Sequence, residues 1–183
     1  MAPAFKEWRM MVEALGRGDQ IIILRKGGLA EGRTGFQADR HPRFWLFPTE
    51  YHQQAEKTKP EIAAQSNLAP VREDEVTLQF VAEVTEAIWI QEWEKIAALA
   101  DRHGWTEATV RDRFEYDAPK GLYLLVVRIY RATPPMTLTL TEAFGGCRSW
   151  IDVPTAFPEK LTAVLAETDF QQQRAEILAH LAV

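Results

Sequence analysis

Residues 20–54 read QIIILRKGGLAEGRTGFQADRHPRFWLFPTEYHQQ, and how this stretch is read decides the fold. Two apolar runs stand in it, Ile21 to Leu24 and Phe44 to Phe47, and each ends in a polar cluster. The first run is short, β-branched and close to glycines, so it reads as a buried strand. Gly27 and Gly28 then let the backbone turn where other residues would strain. The second run is a strand closed by Pro48, with Thr49 placed to cap a short helix that carries His52. If the two strands are neighbours, Arg25-Lys26-Gly27-Gly28 and Thr49 to Gln54 share one surface.

Upstream, Phe5, Trp8, Val12 and Leu15 recur at spacings of three and four, which predicts a helix over about 5–15. Downstream, residues 57–74 are polar and interrupted by Pro60 and Pro70, as in a surface connection. From Val76 to Val84 the pattern alternates, as in a strand with one wet face. Helical spacing follows over 92–103, and Thr106 can cap another helix through Phe114. Leu122 to Tyr130, apolar on both faces, reads as a central strand that Pro134 and Pro135 break. Thr137 to Thr141 alternates again, Gly145-Gly146 permits a turn, and the segment 158–183 reads as helical. The expected architecture is one α+β domain over residues 1–183, mostly antiparallel, with its core in 4–153 and a C-terminal helix.

With 183 residues, 46% of them hydrophobic and 26% charged, the chain can bury one sizeable core. Its net charge of −5 argues against a general nucleic-acid coat. The charge is unevenly spread, because residues 1–60 hold 10 Lys and Arg against 7 Asp and Glu. Cys147 is the only cysteine, so no intramolecular disulfide forms. No apolar run is long enough to span a bilayer, and no charged segment leads into a signal core, so cytoplasm is the expected compartment. Four scattered histidines and one cysteine offer no zinc spacing. No metal or cofactor is expected.

Several strings together resemble a bacterial family of uncharacterised proteins, domain of unknown function 1802. They are Phe5-Lys6-Glu7-Trp8, Ile23 to Gly28, Phe47-Pro48-Thr49 with His52-Gln53, Leu125 to Arg131, and Gly145 to Trp150. This resemblance implies no activity, since the family is named for lacking one. The order of elements from Val76 to Arg131 also resembles that of PUA-like and ASCH barrels. That likeness implies a small barrel with helices at its ends and a cleft suited to single-stranded nucleic acid or a nucleotide.

The candidate site residues follow from their chemistry. Arg25, Lys26, Gly27 and Gly28 combine cations with approachable backbone N–H groups, as a phosphate contact requires, although a solvated hairpin end has the same composition. His52 can shuttle a proton or, with Gln53, position a ligand, although a histidine bonded to a nearby carbonyl fits equally. Cys147 is a nucleophile only if a histidine reaches it, and lone cysteines are commonly small buried residues. Arg148, Ser149 and Trp150 offer phosphate contact and base stacking, against a Trp150 in the core. Arg111 and Arg131 read as ion-pair partners of nearby acids, whereas Arg113 and Arg128 stay open. The residues therefore point to a binding module for nucleic acid or a phosphorylated ligand. An enzyme with His52 as acid or base, and a protein-interaction domain, are the alternatives.

Overall fold

The computed structural model describes residues 1–26, 41–50, 54–66, 74–146 and 148–181. At the N-terminus the expected helix over 5–15 divides in two. Ala2–Trp8 is a strand, β1, and the helix α1 begins only at Arg9 and runs to Arg17. The stripe of three and four is therefore shared between a strand end and a helix. The reason is non-local: β1 is flanked by β3 (Arg43–Thr49), which it pairs in parallel, and β6 (Trp150–Val153), antiparallel. Pairing on both edges outweighs the local helical preference.

The other strands are β2 (Ile22–Arg25), β4 (Glu75–Ile90), β5 (Leu122–Thr139) and β7 (Leu161–Ala163). They form one mixed, mainly antiparallel sheet in the order β2-β5-β4-β3-β1-β6, with β7 also paired to β5. The two opening apolar runs, β2 and β3, are thus not neighbours, since β4 and β5 lie between them. The long β4–β5 pair forms the centre, and its register shifts between Leu78 and Phe80 and between Val84 and Glu86. Pro134 and Pro135 do not end β5, as their composition suggested. They fall in the first of these irregularities, where a missing N–H costs no ladder bond.

Helices cover the sheet. Besides α1 they are α2 (Gln54–Lys57), α3 (Pro60–Gln65), α4 (Trp93–Ala97), α5 (Glu107–Glu115) and α6 (Glu167–Leu181). Thr106 caps α5 as expected, its side chain accepting from the Thr109 N–H at 3.3 Å. Residues 92–103 form only α4 and a short 3-10 turn at Ala100–Arg102. Thr49 ends β3, and its hydroxyl donates to the Glu7 carbonyl at 3.1 Å, while the expected helix around His52 lies outside the described residues. Leu161, expected in a helix, starts β7.

Helix α1 lies between two buried clusters. Met10, Met11 and Ala14 pack with Ile22, Trp105, Leu122 and Phe170, whereas Val12 and Leu15 pack with Phe5, Phe44, Phe80 and Leu125. Phe170 and Ile177 dock α6 on the first cluster. Gly16 is where α1 meets β4, because a Cβ there would stand 2.2 Å from the Phe80 ring. Among the described residues no helix is long and apolar enough to cross a membrane.

Candidate functional site

The end of β1 gathers polar groups from across the fold. Phe5 is buried, with the Arg25 guanidinium 4.8 Å from its ring centre and the Trp150 ring at 5.0 Å. Arg25 also donates to the Lys6 carbonyl and lies 3.9 Å from the Glu7 carboxylate. The Lys6 ammonium donates to the carbonyls of Gly145 and Gly146 at 3.3 and 3.1 Å, and the Lys6 N–H donates to the Ser149 carbonyl at 2.8 Å. Arg25 and the Gly145 to Trp150 turn, distant in sequence, therefore meet around Phe5 and Lys6. Trp150 is half-buried between Phe5, Phe44 and His41, while Arg148 is exposed and donates to the Ala143 carbonyl.

Glu7 is fully buried, with one carboxylate oxygen receiving the Trp8 N–H at 2.8 Å. Arg113 lies between the rings of Trp8 and Trp105, 4.8 and 4.9 Å from their centres, and donates to the Leu24 carbonyl. Burial lowers the Arg113 pKa to about 10; Glu7 opposes that shift and Arg25 adds to it. Arg113 is thus part of the interior. Lys26 points away from this group. Its ammonium donates to the carbonyls of Phe114, Asp117 and Pro119 at 3.1, 2.8 and 2.8 Å, closing the C-terminal end of α5. Desolvation lowers the Lys26 pKa, with Asp117 acting against it. Gly27, Gly28, His52, Gln53 and Cys147 lie outside the described residues.

Beside this cluster opens a cleft of about 990 Å³, at the upper end of the range for ligand pockets. One wall is formed by α1, with Arg9, Val12, Glu13, Gly16 and Arg17. Opposite stand Lys6 and the end of β3 with Phe47, Pro48, Thr49 and Glu50, then Glu75, Val76, Thr77, Gln79 and Phe80 of β4, Arg131 of β5 and Phe144. Four cations and three carboxylates line it, together with three phenylalanines. Arg131 donates to the Gly16 carbonyl at 3.2 Å and lies 4.7 Å from the Phe80 ring centre, so it is a cleft residue rather than the ion-pair partner its surroundings suggested. Arg128, in contrast, pairs with Glu167 at 2.6 Å, and Arg111 with Glu115 at 3.8 Å.

Sequence reasoning passed over Lys6, Arg9, Arg17 and Arg131 as cleft residues. The available signal was in α1: Arg9, Glu13 and Arg17 recur every four residues, and Gly16 interrupts the same face. A glycine on a helix face marks a close approach, here that of Phe80.

Among solved structures, the chain is similar to ASCH from Zymomonas mobilis, at 13% identity over 94% of this chain and 93% of that one, with a TM-score of 0.44. A serine-to-alanine mutant of that protein gives 14% identity over 95% and 94%, with a TM-score of 0.46. The comparison with curated proteins finds no match. The family comparison reaches past Trp150, taking in β7 and most of α6. Its model matches residues 4–176, and the chain belongs to the family of the domain of unknown function DUF1802.

Proposed function

We propose that this protein is a binding module for a nucleic-acid segment or a phosphorylated, nucleotide-like ligand, held in the cleft beside α1. The observation that carries this reading is the joint presence in one cleft of Lys6, Arg9, Arg17 and Arg131 with the rings of Phe47, Phe80 and Phe144. Cations along a groove hold phosphates, and aromatic faces accept bases without regard to sequence. Arg9 and Arg17 are eight residues apart on α1, which separates them by about 12 Å along the helix axis. That spacing suits an anion with more than one phosphate. Arg148, exposed and near the Gly145-Gly146 carbonyls that hold Lys6, is assigned to phosphate contact, with Ser149 and Trp150 as further ligand contacts. His52 and Gln53, which follow the cleft residue Glu50 in sequence, are assigned to ligand positioning. Arg25 acts by holding the cluster at the end of β1 and Lys26 by closing the end of α5, while Gly27 and Gly28 are assigned to phosphate contact.

The test is an anisotropy titration of fluorescein-labelled oligouridylate at several salt concentrations, with wild type and an Arg17→Ala, Arg131→Ala double variant. Both side chains are exposed, so folding is kept. Wild type should bind with an affinity that falls as salt rises, and the variant should bind more weakly. Its salt slope should be flatter by about 0.7 for each phosphate that the variant leaves unneutralised. Identical binding by both proteins, or none by wild type to this probe or to nucleoside diphosphates, would refute the reading.

A further inference from the structure

Within the cleft, Arg9 is already paired with an anion that the chain supplies from the cleft wall itself, whereas Arg17 pairs at 2.7 Å with Asp19, outside the lining. Arg9 stands on the first turn of α1 with its side chain only 12% exposed, and its Nε lies 3.2 Å from Oε1 of Glu50, which is 54% exposed. Glu13, one turn further along α1, backs Arg9 at 3.7 Å. The second oxygen of Glu50 accepts from the Gln54 side-chain amide at 3.0 Å. Gln54 is buried, and its own oxygen accepts from the Met10 N–H at 3.3 Å. That bond fixes which end of the amide faces Met10, and hence turns its NH₂ toward the Glu50 carboxylate. A guanidinium and an oriented amide thus stand against the two oxygens of one carboxylate, the amide by a hydrogen bond and the guanidinium as an ion pair, groups suited to a tetrahedral oxyanion as well. The donors are anchored, Arg9 and Gln54 both being largely enclosed. The carboxylate is the exposed partner, at the end of β3.

We propose that Arg9 and Gln54 form a phosphate seat, and that Glu50 is an internal competitor which fills the seat until a ligand phosphate displaces it. The inference rests on the binding reading given above and names the subsite where one phosphate lands. It also gives Glu50 a selective role. A singly charged carboxylate ligand gains nothing by replacing a carboxylate already in place, whereas a phosphate brings more charge and more acceptor oxygens. Glu50 thereby favours phosphate-bearing ligands over carboxylates.

The decisive comparison is Glu50→Gln, which keeps the shape and removes the charge, titrated with labelled oligouridylate and, by calorimetry, with inorganic pyrophosphate. Removing one repulsive charge next to a bound phosphate should tighten binding by about fivefold. Glu159→Gln, an exposed change outside the cleft, should leave affinity unchanged and so separates the local effect from net charge. In an Arg9→Gln background the gain from Glu50→Gln should vanish, because the seat itself is gone. Thermal unfolding of each variant checks that it is folded. If wild type binds and Glu50→Gln binds no better, or Glu159→Gln gains as much, the competitor is refuted while the module stands. If neither wild type nor Glu50→Gln binds either probe, both readings fall together.

Discussion

Gly16 sits where the ring of Phe80 closes on α1, with no room for a methyl group. Gly16→Ala should therefore force Phe80 or the helix aside and cost about 1–3 kcal/mol, measured by urea unfolding. Because Phe80 and Gly16 both line the cleft, the same change should weaken oligouridylate binding. His103 gives a pH dependence of definite sign. It is buried beside Trp105, and desolvation, with Lys59 and Arg113 adding to it, lowers its pKa from 6.5 to about 4. Between those values the unfolded chain takes up a proton that the folded chain refuses. Stability is full above pH 6.5 and should drop by about 3 kcal/mol as pH falls toward 4. His103→Gln should remove that part of the acid slope, which unfolding midpoints across the pH range will show.

At the level of elements, legibility followed how local the cause was. The α5 cap at Thr106, the alternation of β4 and the apolar run of β5 each carry their signal within a few residues, and each forms as read. The division of the first seventeen residues does not, because Trp45 and Ile151 decide it by pairing with Ala4. β7 escaped for the same reason: its three residues are ordered by Tyr130, Arg131 and Ala132 of β5. The site obeys the same rule. The meeting of Arg25 with Lys6, and of Lys6 with Ser149, depends on strand pairing between distant residues, and the cleft cations Arg9 and Arg17 lie on a helix face that looks in sequence like ordinary solvated surface. α6 is anchored on the sheet side by Phe170, over which Arg128 lies at 5.0 Å. Phe170→Ala should cost about 3 kcal/mol or more and lower the thermal midpoint, since it empties a buried site between α6 and the first core.

For the molecule as a whole, charge is arranged against its total. A chain of net charge −5 carries four cations against three carboxylates in one cleft, so its long-range field disfavours polyanions while the cleft itself keeps a small positive excess. Strand order has a further consequence for how the chain is made. β1 lies inside the sheet with β3 on one edge and β6 on the other, and β6 is much the later of the two in the chain. Its second edge stays open until residues 150–153 have been synthesised. During that interval Ala4, Phe5 and the rest of an apolar strand are exposed to any other edge that comes near. The nascent protein therefore carries a risk of mispairing at β1, and β6, by pairing with its second edge, ends that exposure.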